Sequence, residues 1–141
     1  MKFLTLLSNA AMVVALAGCS NDQHNNVLAE NALTVTGSVI YRDRMALPDN
    51  AQITVLLADV SLADAPAKVI STVTFPSKGK QVPFMFTLPY NVEQVNAAQR
   101  IALSASISID DKLLYTTTTM NEVLTNAQPA QMDLVLGRVS N

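Results

Sequence analysis

The chain has one cysteine, one histidine, four glycines and no tryptophan in 141 residues, and each scarcity removes a kind of chemistry. A serine hydrolase needs a base held within hydrogen-bond reach of its nucleophile, normally a histidine. His24 lies in a polar, asparagine-rich N-terminal stretch with no apolar period, so nothing holds it in place. A zinc site wants three or four Cys or His ligands, which the rest of the chain does not contain. Gly18, Gly37, Gly79 and Gly137 are scattered, so no glycine-rich loop can cradle a phosphate. Without tryptophan a platform for stacking sugar rings is hard to build. A formal net charge of −2 argues against nucleic acid, which wants a basic face.

The single cysteine stands behind the most apolar N-terminal run. Lys2, the apolar residues Phe3, Leu4, Leu6 and Leu7 and the run Ala10 to Ala17 have the layout of a secretory signal peptide. The stretch is too short to span a bilayer, which takes about 20 apolar residues, and Ser8 and Asn9 interrupt it. Leu16, Ala17, Gly18 and Cys19 resemble a bacterial lipobox. That resemblance implies cleavage between Gly18 and Cys19, a diacylglyceryl thioether on Cys19 and acylation of the new amino terminus. Cysteine suits the task because its thiol ionises near pH 8.5 and is a good nucleophile close to neutrality. Several acyl chains anchor stably where one is marginal. Ser20 is not the aspartate that retains many such lipoproteins in the inner membrane of Gram-negative bacteria, so the expected address is the outer membrane, facing the periplasm. With Cys19 lipidated no thiol remains, and the fold has no disulfide. The expected division is a signal peptide over residues 1–18, a lipidated flexible tether over 19–32 reaching about 20 Å by random-coil scaling, and one folded domain over 33–141.

From Leu33 onward the pattern has period two. Leu33, Val35, Gly37, Val39 and Tyr41 open it; Ile53, Val55 and Leu57 follow; Val69, Ser71, Val73 and Phe75 form a third set. Val82, Phe84, Phe86 and Leu88 share a face of a fourth strand, and Pro83 within it, lacking an N–H, predicts a sheet edge. Asn91 to Gln99 is the one helix candidate after the tether. Ile101 to Ile109 and Leu113 to Met120 read as a hairpin. A three-residue turn through Lys112, pairing Ile109 with Leu113, Ile107 with Tyr115, Ser106 with Thr116 and Ser104 with Thr118, keeps the apolar set together. Met132 to Arg138 closes the chain. About seven short strands with almost no helix predict an all-β, antiparallel β-sandwich.

Two surfaces are candidates for binding. One is the edge strand Val82, Pro83, Phe84, Met85 and Phe86, whose unpaired backbone can accept an added strand, with Lys78, Lys80 and Gln81 guarding it against self-pairing. The other is the polar face of Ser104, Ser106, Ser108, Thr116 and Thr118, which suits a glycan or a protein surface. Asp110 with Asp111, and Asp59 with Asp64, are read as turn residues, because calcium wants six to eight oxygens and the spacing is not that of an EF-hand. No metal and no cofactor are expected beyond the lipid on Cys19.

At "VTGSVIYRDRMALPDNAQITVLLADV", "DVSLADAPAKVI" and "VPFMFTLPYN" the chain resembles the YbaY and YscW-like lipoprotein family, over roughly Leu33 to Thr119 and so most of the expected mature chain. The resemblance implies a β-rich lipoprotein without catalytic residues. It also implies a relation to type III secretion pilotins, small lipoprotein chaperones that escort secretin subunits to the outer membrane. The expected function is therefore a non-enzymatic, outer-membrane-anchored accessory that binds another envelope protein, a secretin being the named instance. The alternative is a periplasmic ligand- or glycan-binding module.

Overall fold

The structure, a computed structural model, describes residues 32–140. Strands β1 (Ala32–Tyr41), β2 (Gln52–Asp59), β3 (Lys68–Pro76) and β4 (Phe84–Asn91) come first, then the short helix α1 (Val92–Asn96). Strands β5 (Ile101–Ile109), β6 (Lys112–Thr117), β7 (Asn121–Glu122) and β8 (Gln131–Arg138) complete the chain. Asn91 caps α1, its side chain accepting from the Glu93 N–H at 2.7 Å.

All the strands belong to one sheet in the order β3-β2-β5-β6-β8-β1-β4, with β7 on β5. The sheet rolls until its two ends, β3 and β4, come against each other, giving a nearly closed barrel. The expected sandwich is thus wrong. So is the expectation of purely antiparallel pairing, because the first and last long strands, β1 and β8, run parallel from Thr36↔Gln131 to Tyr41↔Leu136. Alternation says which face of a strand is buried, and it is the same whether two sheets stack or one sheet curls. The curl comes from features alternation does not show. Bulges between Leu57 and Ala58 of β2, against β3, and between Ile107 and Ser108 of β5, against β6, add local twist.

The second bulge also settles the hairpin. Asp110 and Asp111 both have positive φ, 49° and 61°, and form a two-residue turn that pairs Ile109 with Lys112 and Ser108 with Leu113. The expected Ile109–Leu113 pair is therefore absent. The bulge then passes over Leu114, so that Ile107↔Tyr115 and Ser106↔Thr116 align as expected. Ser104 and Thr118 do not pair. β6 ends at Thr117, and β7 takes over against Ala102 and Leu103.

The core is the barrel interior, where Val35, Val39, Ile53, Val55, Leu57, Leu88, Ile101, Ile107 and Leu134 are fully buried. Gly37 admits two neighbours at once: a Cβ there would lie 1.8 Å from the Met132 carbonyl oxygen of β8 and 2.9 Å from the Phe86 ring. The registers define two ends. The entry end holds Ala32, Asn91, Ile101, Asp59 and Lys68; the far end holds Tyr41, Phe84, Ile109, Gln52 and Pro76.

Candidate functional site

Between β3 and β4 the barrel has a seam, because no ladder joins them. On its β4 side the inward residues Phe84, Phe86, Leu88 and Tyr90 are all buried. On its β3 side Val73 and Phe75 reach the core but are only partly covered. The candidate edge therefore divides. Phe84 and Phe86 face the core, while Met85 is 71% exposed; Val82 and Pro83 precede the strand, Val82 half-buried and Pro83 exposed. Pro83 is thus not the reason for the edge. Pro89 lies inside β4, opposite Thr34 of β1, and its missing donor is tolerated in a strand with one side unpaired.

At the far end the seam widens into a groove of about 390 Å³ lined by Phe75, Pro76, Lys78, Lys80, Pro83 and Met85. The turn beside it is firmly held. Ser77 is buried, its hydroxyl donates to the Pro48 carbonyl at 2.7 Å, and its N–H donates to the Ala51 carbonyl at 2.8 Å. Lys78 and Gly79 follow with φ of 48° and 75°. Both lysines are exposed, and among the described residues neither is in an ion pair. Gln81, expected to guard the edge beside them, does something else. Its amide accepts from the Leu47 N–H at 2.9 Å and donates to the Leu47 carbonyl at 3.1 Å, clamping the loop between β1 and β2.

Inside the far end, the Tyr41 and Tyr115 rings stack with centroids 4.5 Å apart. The Tyr41 hydroxyl donates to the Met45 carbonyl at 2.8 Å, and the Tyr115 hydroxyl donates to Asp43 Oδ2 at 3.1 Å, with Arg138 3.8 Å from the same oxygen. Burial, followed by the Asp43 charge, raises the Tyr41 pKa. Burial, followed by the hydrogen bond to Asp43, raises that of Tyr115. These groups close one mouth of the barrel. Tyr115 and Asp43 are far apart in the chain, and no sequence pattern joins them.

The expected polar face is the outer wall of β5 and β6. Ser104, Ser106, Ser108 and Thr116 are half-buried there, and Thr118 is exposed beyond β6. Ser104 and Thr118 share a shallow groove of about 370 Å³ with the apolar residues Leu56, Ala58 and Met120. Asp59 accepts from the N–H and hydroxyl of Ser61, which holds its carboxyl below the usual range. Asp110 accepts from the Asn50 side chain at 3.1 Å. No cluster of three or more potential metal ligands occurs among the described residues. Gly18, Cys19, the expected signal peptide and the expected tether up to residue 31 lie outside the described residues, and Ala32, the last position of that expected tether, is the first residue of β1.

A small β-barrel with a held turn beside an unzipped seam has the build of a binding module. Residues 30–136 match the family described as type III secretion system lipoprotein chaperone (YscW). The chain is 37% identical to the YbaY lipoprotein of Escherichia coli (strain K12), named as uncharacterized, over 96% of this chain and 79% of that one. The solved structure of an alternative pilotin from the type II secretion system of Vibrio cholerae is similar at 44% identity and a TM-score of 0.75, over 78% of this chain and 99% of that one. The chain belongs to the YscW lipoprotein chaperone family. It is a non-enzymatic envelope lipoprotein homologous to pilotins, of the outer-membrane-anchored, periplasm-facing kind found in Gram-negative bacteria.

Proposed function

We propose that the protein is a pilotin-like chaperone, held in the outer membrane by a lipid on Cys19, that binds a secretin subunit and promotes its assembly. The observation that carries this reading is the likeness to the alternative pilotin, which extends over nearly the whole of that chain. In this reading residues 1–18 are the signal peptide, 19–32 the lipidated tether and 33–141 the binding body. The client docks along the seam, at Val82 to Phe86 and the facing edge of β3.

Cys19→Ala tests the anchor. The variant should keep its signal peptide, take no acyl chain and leave the outer-membrane fraction; normal fractionation defeats the lipid assignment. Deleting the gene tests the client. Detergent-resistant secretin multimers should fall to a small fraction of normal, and their unchanged assembly defeats the chaperone reading. A bound glycan or small molecule, in place of a protein, in the material isolated from detergent-solubilised membranes would favour the ligand-binding alternative.

A further inference from the structure

The two ends of the barrel differ in charge. The entry end carries Asp59, Asp64, Glu93 and Glu122 against Lys68 and Arg100, and Arg100 is already paired with Glu122. The far end carries Arg42, Arg44, Lys78, Lys80, Lys112 and Arg138 against Asp43, Asp49, Asp110 and Asp111. Two of those aspartates are occupied: Asp43 by Tyr115 and Arg138, and Asp110 by Asn50. Asp49 Oδ1 lies only 3.0 Å from where a Cβ on Gly79 would stand, on the turn that carries the two lysines, and partly offsets them. Lys78 and Lys80 thus leave a local positive field beside the groove at the far end of the seam.

We propose that the far end of the seam takes an extended, acidic segment of the client. Its backbone adds to the free edge of β4 at Met85 and Thr87, one apolar side chain lies against Met85 and Phe75, and carboxylates flank the strand at Lys78 and Lys80. This rests on the chaperone reading and specifies the chemistry of what the chaperone grips. Strand addition draws affinity from main-chain bonds and selectivity from side chains; the lysines select for acid and speed the encounter. The same charges disfavour the other occupants. A second copy would bring two lysine pairs together across the edge. The lipid anchor and its tether precede β1, which enters at the opposite end, about 30 Å from the groove by strand length.

The test pans a random 12-residue peptide display library on the full lipidated protein in neutral detergent micelles. Retained peptides should be several-fold richer than the library in Asp or Glu beside apolar residues. A retained peptide should bind about tenfold more weakly to Lys78→Glu/Lys80→Glu and lose affinity as salt rises. Lys68→Glu, a single charge reversal at the entry end to be compared with Lys78→Glu alone, should bind normally. Circular dichroism and melting temperature verify that the variants are folded. A library without acidic enrichment, or equal loss in Lys68→Glu and Lys78→Glu, overturns the proposal. So does displacement of the peptide by a synthetic 20–31 peptide or by anionic phospholipid vesicles, or a dimer that the double substitution abolishes. Secretin assembly separates the two levels of inference. If the double variant assembles multimers normally while the deletion does not, the chaperone reading stands and the acidic-segment proposal fails; if neither impairs assembly, the chaperone reading itself fails.

Discussion

Val55 of β2 and Val73 of β3 sit directly opposite each other in the same ladder, yet they live in different surroundings. Val55 is fully buried, because β2 has β5 on its other side. Val73 is only partly covered, because among the described residues no strand pairs with β3 on its other side. The same residue type, with the same backbone partner, is core in the closed wall and margin at the gap. What decides is the second neighbour, and that is a property of topology. A barrel that stops one ladder short of closure keeps a strip of its own interior half-covered.

The strongest way to break this contrast is to attack the closed wall where β1 meets β8. Gly37→Ala places a methyl group against the Met132 carbonyl, which belongs to the backbone and cannot rotate away. Overpacking of this kind costs about 3 kcal/mol or more. The expected result is a melting temperature lowered by more than 10 °C, or a chain that does not fold; a shift of under about 3 °C would mean that β1 and β8 are not so closely apposed.

A direct measure of the contrast comes next. Val55→Ala should cost about 2–3 kcal/mol, the loss of buried methyl groups together with the cavity they leave. Val73→Ala should cost about 1 kcal/mol, since part of that side chain already meets water. Equal losses in denaturant titrations would mean that the seam is closed in solution, and would remove the surface on which client binding is argued.

These two neighbours also mark the limit of what the sequence makes legible. The strands themselves are plain in the alternation of Val35, Val39, Ile53, Val55, Phe84 and Phe86, because each face of a strand must find its own solvent. The helix after Asn91 is legible for a similar local reason, a side chain able to cap the first free N–H groups. The strand order is not legible. Whether β8 returns beside β6 or beside β1, and in fact it lies between them, depends on contacts across the whole chain. The site is half visible in the sequence: Met85 stands where an edge residue should, but the proline inside the half-paired strand is Pro89, not Pro83. Gln81 looks like a surface guard because its partner, Leu47, is 34 positions away.

The smallest expected effect concerns the mouth of the barrel, where the closed wall is sealed by polar as well as apolar contacts. Tyr115 is buried with its hydroxyl on Asp43, and both conditions favour the neutral phenol, so its pKa in the folded chain is raised above the ordinary value near 10. Tyr41, stacked on it, is shifted in the same direction. Below about pH 10 the phenols are protonated in both folded and unfolded chains, and stability does not depend on them. Above that value the unfolded chain gives up phenolic protons that the folded chain retains, so stability falls as pH rises toward the raised pKa. Tyr115→Phe removes a single hydrogen bond and should cost about 1 kcal/mol at neutral pH. It should also make the loss of stability above pH 10 shallower, and Tyr41→Phe with Tyr115→Phe shallower still. The quantity to read is the difference between variant and wild type in chemical denaturation at pH 7 and pH 10.5, in which any pH dependence common to both cancels. A difference that stays constant between the two would show that the Tyr115 hydroxyl ionises as freely in the barrel as in the open chain, and that water enters this mouth as it enters the seam.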